Sequence, residues 1–237
     1  MDAIIISDLH IGADNCQAKS LVNFLEKIQN KEIETKKLIL NGDVFENFDS
    51  RLHKWHWKIL STIRKVSDTI EVIWIRGNHD AHGPAQYIAH LIGVHYTDEF
   101  IFESGGKQVL CFHGDIYDDF LSEHPILTWF GDVIYWFLQK LDGSFYLAKL
   151  AKHNSKTFLR CADRIKGLAR KHKEKERCDF VCCGHTHLAE EDKDYYNSGC
   201  WTESSPTYLV VDNGKIELRI YEQDSLLQTM QDAEKAF

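Results

Sequence analysis

Five short apolar runs in this chain each stop at residues able to bind a metal, and that repetition constrains the fold more than any other feature. Ala3–Ser7 leads into Asp8-Leu9-His10, and Lys37–Leu40 leads into Asn41-Gly42-Asp43-Val44-Phe45-Glu46. Glu71–Ile75 leads into Gly77-Asn78-His79-Asp80, Gln108–Phe112 into His113-Gly114-Asp115, and Phe180–Cys183 into Gly184-His185-Thr186-His187. Apolar runs of this length read as buried strands. In α/β sheets ligands bind outside the carboxyl ends of the strands, so five strand ends deliver Asp, Asn and His to one crevice. In four of the five blocks a glycine lies beside the polar residue, which lets the backbone turn sharply there. Alone, D-x-H or G-N-H-D reads as an ordinary turn; five blocks in this order, each closing an apolar run, do not.

The rest of the chain supplies the layers around those strands. Helical stripes run over Ser20–Gln29, Trp55–Val66 and Ala85–Ile92. Phe100–Glu103 and Gln108–Phe112 flank Gly105-Gly106, and Thr207–Asp212 and Lys215–Tyr221 flank Asn213-Gly214, so each pair reads as a hairpin. Strand–helix alternation followed by a hairpin-rich end predicts an α/β fold with a mixed sheet: two sheets face to face with helices outside. Residues 118–177 break the rhythm with aromatic-rich helical patterns and then a basic stretch. They are assigned to a helical cap inserted into a single domain spanning 1–237, and the tail from Asp224 to a loose helix.

Charge and cysteine content narrow the classes. The net charge of −8 argues against broad nucleic-acid binding, although residues 149–177 carry 11 Lys/Arg against 3 Asp/Glu. Seven cysteines, two of them adjacent at Cys182 and Cys183 inside an apolar run, do not form a disulfide framework and point to a reducing, cytoplasmic compartment. No apolar run approaches the ~20 residues of a membrane span, and MDAIIISDLH lacks the basic start of a secretory signal.

The ordered blocks D-x-H, G-D-x-x-E, G-N-H-D, H-G-D and G-H-T-H, spread from residue 8 to residue 187, resemble the calcineurin-like metallophosphoesterases. The resemblance implies a four-layer αββα sandwich with a dinuclear metal site. One cation would be held by Asp8, His10, Asp43 and His187, and the second by Asp43, Asn78, His113 and His185, with Asp43 bridging. Carboxylate and imidazole ligands suit Mn²⁺, with Fe²⁺ and Zn²⁺ also compatible. The implied reaction is attack of a metal-activated water on phosphorus. Asn78 would contact phosphoryl oxygens, His79 would serve the leaving group as an acid, and Asp80 would orient His79. Glu46 and Asp115 would support the ligands from behind.

The stretch after His113-Gly114-Asp115, NSKTFLRCADRI and YYNSGCWTESSPTYLVV are similar to the branch containing UDP-2,3-diacylglucosamine diphosphatases of the lipid A pathway, so the resemblance extends over most of residues 3–221. The resemblance implies a glycolipid pyrophosphate substrate. One departure bears on it: better-known members of that branch carry Arg where this chain has His79. Phe120, Leu121, Leu127, Trp129, Phe130, Val133, Ile134, Trp136, Phe137 and Leu138 either line an acyl groove or a membrane contact, or pack the cap onto the core. The basic stretch either steers an anionic substrate or is a solvated helix face. Asn154, Ser155 and Lys156 are read as substrate-facing polar groups. Hydrolysis of soluble phosphodiesters or monoesters, and a non-catalytic scaffold of the same fold, remain as alternatives. The partners expected are therefore a phosphorylated small molecule or glycolipid, and an inner-membrane surface touched through the cap.

Overall fold

The structure is a computed structural model that describes residues 1–49, 51–80, 82–118 and 156–222. The cap aromatics, Asn154, Ser155 and the tail from Asp224 lie outside the described residues. The chain runs β1 (Ala3–Ile6), α1 (Ala18–Gln29), β2 (Lys37–Asn41), α2 (Lys54–Ser67), β3 (Glu71–Ile75), α3 (His82–Leu91), β4 (His95–Thr97), β5 (Glu99–Ser104) and β6 (Lys107–Phe112). A 3-10 turn at Asp115–Tyr117 follows, then α4 (Lys156–Lys175), β7 (Phe180–Cys183), β8 (Glu190–Asp192), β9 (Tyr195–Asn197), β10 (Thr207–Asp212) and β11 (Lys215–Ile220). One sheet has the order β11-β10-β1-β2-β3-β4 and the other β5-β6-β7-β9-β8. The pairs β1–β2, β2–β3, β6–β7 and β7–β9 are parallel, and the hairpin partners are antiparallel. This is the mixed two-sheet α/β architecture expected.

The apolar runs are continuous because both of their faces are covered. Along β1, Ala3 and Ile5 face the second sheet while Ile4 and Ile6 face the helices. Ile39, Ile73 and Ile75 join the inter-sheet layer, and Leu38, Leu40 and Trp74 pack outward with Phe24, Leu25 and Ile63 from α1 and α2. From the opposite sheet Val109, Cys111 and Cys182 fill the same inter-sheet layer. Leu110, Phe112, Val181 and Cys183 point the other way, where Ala169 of α4 packs on them. Helix–sheet–sheet–helix layering thus follows from period-2 alternation read on two faces.

At the β10–β11 turn Asn213 and Gly214 have φ of 48° and 75°, the left-handed pair a type I′ turn needs. Three short strands were not anticipated: β4, β8 and β9. β8 is the acidic tripeptide Glu190–Asp192 at a sheet edge, with no apolar signature to betray it. The stretch expected as a cap contains α4, which buries Ile165 and Ala169 and forms the outer layer of the second sheet. Its basic residues are engaged: Lys166 pairs with Glu190 and Asp192, Arg170 with Asp192 and Asp194, and Lys173 with Asp194 at 2.6 Å. That face of the basic stretch clamps the acidic β8–β9 hairpin. All seven cysteines are free thiols. Among the described residues no helix is long and apolar enough to cross a membrane.

Candidate metal centre

The loops after β1, β2, β3, β6 and β7 meet at one edge of the sandwich, where backbone bonds knit them together. The amides of Asp8 and His10 donate to the carbonyls of Gly42 and Asp43, and the amide of Gly184 donates to the carbonyl of His113. Asp8, His10, Asp43, His185 and His187 all have positive φ, between 48° and 65°. Each such residue costs about 1–3 kcal/mol and persists only where its surroundings over-determine it. Three glycines make the approach possible. A Cβ on Gly42 would lie 2.2 Å from His113 Nδ1, on Gly77 2.2 Å from Asp43 Oδ1, and on Gly184 2.6 Å from Asp8 Oδ2.

Two groups of ligand-type atoms result. In the first, His187 Nε2 lies 3.1 Å from Asp8 Oδ1 and 3.2 Å from His10 Nε2. In the second, Asp43 Oδ2 lies 3.3 Å from His113 Nε2, and His185 offers a nitrogen within 4.8 Å of both. Asp43 Oδ2 is also 3.8 Å from His10 Nε2, so the same carboxylate oxygen faces both groups. Asn78 reaches the second group through its Oδ1, 3.0 Å from His185 Nδ1.

The rear nitrogens of these rings are held. His10 Nδ1 meets Glu46 Oε2 at 2.7 Å, and His113 Nδ1–H donates to the Asn41 carbonyl at 2.9 Å. That leaves Nε2 of each ring turned inward. His113 Nε2 and Asp8 Oδ1 are buried with no hydrogen-bond partner. A buried polar atom left without a hydrogen bond is costly, and one such atom in each group is what a cation-binding site requires. The electrostatics agree. Burial opposes a charge on His113, but the Asp43 carboxylate outweighs it and raises the imidazole to about 10. His10 is raised in the same way against its burial, by Glu46, Asp43 and Asp8. Burial would raise Asp8, yet His187 and His113 hold it down at about 2. Asp43 is likewise depressed against burial by His113 and His10. Carboxylates this strongly drawn to positive charge bind protonated imidazoles, and divalent cations compete with those protons.

A calcineurin-like phosphoesterase profile matches residues 1–189. The chain belongs to the calcineurin-like phosphoesterase family. It is 28% identical over 115 residues to UDP-2,3-diacylglucosamine hydrolases of two Pseudomonas putida strains, which is 47% of this chain and 47% of each relative. The match thus spans about half the length of those curated relatives. Among solved structures, a hypothetical protein from Pyrococcus horikoshii shares the fold at a TM-score of 0.52 and 12% identity, covering 98% of this chain and 93% of its own. Vacuolar Protein Sorting 29 from Cryptosporidium parvum superposes at a TM-score of 0.46 and 14% identity, covering 94% and 97%.

The remaining expected residues of this phosphoesterase chain separate in space. His79 sits at the edge of the site, its side chain 37% exposed, with its amide donating to Asp43 Oδ1 and its Nδ1–H donating to the Glu46 carbonyl at 2.9 Å. Asp80 was expected to orient that ring; the bonds the structure gives it are elsewhere. It is buried and accepts from the amides of Val44, Phe45 and Gly77 and from the Trp74 indole, fixing the two loops instead. Burial and the nearby Asp43 charge push Asp80 up to about 6. Asp115 lies 3.9 Å from Arg76, away from the ligand atoms. Lys156 is the first residue of α4. Sequence reasoning missed Asp118, whose Oδ2 lies 2.8 Å from His185 Nε2, and the Asn41 carbonyl behind His113. The acidic pair Asp118-Asp119 was the only written signal for the first; a backbone carbonyl leaves none.

Proposed function

We propose that this chain is a metal-dependent phosphohydrolase working with two divalent cations, one held by Asp8, His10, Asp43 and His187 and the other by Asp43, Asn78, His113 and His185. The observation that carries the reading is the two buried ligand atoms without a hydrogen bond, Asp8 Oδ1 and His113 Nε2, one in each of the two groups that Asp43 Oδ2 faces. Bound cations of this kind polarise a phosphoryl oxygen and bring the pKa of water towards neutrality.

The chain's own residues do the rest. The Asn78 amide nitrogen binds a phosphoryl oxygen and neutralises charge growing there. His79, with Nδ1 held by the Glu46 carbonyl, presents Nε2 to the leaving oxygen and delivers a proton to it. Glu46 therefore supports His10 through its carboxylate and His79 through its backbone. A cleft of about 570 Å³ opens beside His187, lined by Leu159, Ala162, Leu188 and Ile220 with Asp163 and Glu203 at its wall. It accommodates an organic group much larger than the phosphate itself.

The finer reading is a nucleotide-linked glycolipid pyrophosphate such as UDP-2,3-diacylglucosamine, supported by the two Pseudomonas putida relatives and by the apolar side of this cleft. Contact with a membrane surface in the cytoplasm would follow from such a substrate. A soluble phosphodiester or monoester is the second reading, and His79, where the better-known glycolipid enzymes carry Arg, favours it. Chelator-treated protein reloaded with Mn²⁺ should be assayed on three substrates: UDP-diacylglucosamine in micelles, a soluble nucleoside diphosphate sugar, and a model diester. Release of UMP from the first with little turnover of the others supports the glycolipid reading. Turnover of the diester alone replaces it with the second, and no Mn²⁺-dependent turnover of any removes both.

A further inference from the structure

An imidazole ligates well only when its other nitrogen is held, because the holding partner fixes both tautomer and ring orientation. The site meets this need differently at each ring. His10 is held by the Glu46 carboxylate at 2.7 Å and His113 by the Asn41 carbonyl at 2.9 Å. His185 is held by a residue outside every motif block. Its Nε2 lies 2.8 Å from Asp118 Oδ2, and its Nδ1 is turned to Asn78 Oδ1 at 3.0 Å.

The placement of Asp118 is built into the backbone after β6. Gly114 turns the chain with φ of 114°, a conformation open to glycine. The Tyr117 amide donates to the Gly114 carbonyl at 3.2 Å and the Asp118 amide to the Asp115 carbonyl at 3.0 Å. This single 3-10 turn carries the chain back over the site five residues after His113. It also divides the work of two aspartates: Asp115 goes to Arg76, and Asp118 to His185. The side chains of Asp118 and His185 are 15% and 9% exposed, so their contact is shielded from water.

We infer that Asp118 is a positioning residue that holds His185 as a ligand of the second cation. The inference rests on the proposed ligand set for that cation. Asp118 accepts the Nε2–H of His185, which leaves Nδ1 on the side of Asn78. Glu46 holds His10 in the same way on the other side of Asp43. The two halves of the site are thereby matched, each with one carboxylate behind one histidine.

The test is Mn²⁺ binding, followed by calorimetry and by electron paramagnetic resonance, with Mn²⁺ as the only probe. Wild-type protein should take up two equivalents and give a spin-coupled spectrum. Asp118→Ala should bind the first equivalent as wild type does and the second roughly 10–100-fold more weakly, the usual loss when such a partner is removed. At equal Mn²⁺ its spectrum should be that of an isolated ion. Asp118→Asn, which keeps an acceptor at the same place, should recover part of the loss, and it carries the test if the Ala variant fails to fold. Unchanged binding of the second equivalent, or equal weakening of both, would overturn the inference. Wild-type protein that binds two Mn²⁺ but hydrolyses no phosphoester would sink the proposed activity while leaving the role of Asp118 standing.

Discussion

Asp2 and Asp8 stand at the two ends of β1 and solve opposite problems. Asp2 is saturated: Lys36 Nζ donates to it at 2.8 Å, Ser104 Oγ at 2.7 Å and the Asn213 amide at 3.0 Å. Those donors come from the approach to β2, the end of β5 and the β10–β11 turn, so one carboxylate ties together both sheets. Asp8, by contrast, has a left-handed backbone, accepts one bond from the His185 amide, and keeps Oδ1 buried without a hydrogen bond, facing the His187 ring at 3.1 Å. The amino-end edge of the sandwich satisfies its polar groups, and the carboxyl-end edge withholds satisfaction so that something else can provide it. Structure and function are thereby segregated along a strand of four residues.

The largest expected effect is at Asp43, the proposed shared ligand. Asp43→Ala should abolish binding of both Mn²⁺ equivalents and cut hydrolysis by roughly a thousandfold or more, since several kcal/mol of charge stabilisation leave with the cations. Metal analysis and turnover measured on the same sample check this. The comparison becomes sharper in chelator-treated protein. There Asp8→Asn should leave the melting temperature unchanged or raise it, because it removes a buried charge that has no full set of partners. A marked loss of metal-free stability in Asp8→Asn would make Asp8 a structural residue and erase the contrast with Asp2.

Next comes His79, which lies at the site edge without being one of the proposed ligands. His79→Ala should lower turnover about 100-fold or more, the usual contribution of a positioned proton donor, while keeping two Mn²⁺ per chain. Only the ring is lost, since the bond from residue 79 to Asp43 comes from the backbone amide. Unchanged turnover would remove the leaving-group role and leave His79 a loop residue.

At the saturated edge the expected effect is smaller and depends on pH. The Lys36 bond, with Ser104 and Asn213, holds the Asp2 carboxyl well below the usual carboxylate range. A carboxyl depressed on folding stabilises the fold above its unfolded value of ~4 and loses that contribution as pH falls through the folded value. Asp2→Asn should therefore cost about 1 kcal/mol near neutrality, roughly 2–4 °C in Tm, with the deficit shrinking as pH drops below ~4. Urea titrations of both proteins at pH 7 and in the acid limb measure it. A deficit that stays constant with pH would mean that Asp2 acts through packing rather than charge.

How much of this could be read from the residues follows from the same contrast. The strands carrying the blocks were legible because each is apolar on both faces and four of the five end in a glycine-marked turn; Glu71–Ile75 and Phe180–Cys183 match the expected limits. β8 and β9 were not, since their pairing rests on tertiary context: three acidic residues at a sheet edge and a tripeptide covered by α4. At the site, the seven residues expected as ligands could be named because their side-chain types name their chemistry, and six of them fall into two groups of ligand-type atoms. Their supports were less so. Glu46 stood within a motif, whereas Asp118 acts from a 3-10 turn and Asn41 through a carbonyl that any residue would supply. The basic stretch misled for a further reason. Composition shows the charges of Lys166, Arg170 and Lys173, but not the acidic hairpin that α4 grips.

Glycines give the gentlest probe of where close approach matters. Gly167 lies in the interior of α4, exposed, and a Cβ built there meets nothing within 4 Å. Its backbone is helical, so Gly167→Ala removes chain entropy from the unfolded state without creating a clash. It should add about 0.5–1 kcal/mol of stability and leave Mn²⁺ binding and turnover alone. Gly42→Ala places the same methyl 2.2 Å from the His113 ring, at a φ of 86°, and should displace a proposed ligand. The pair, read by thermal melts and Mn²⁺ titration, applies one chemical change to two edges of the molecule. Loss of metal binding in Gly167→Ala would show that α4 couples to the centre through more than packing, since a Cβ at position 167 meets no atom within 4 Å.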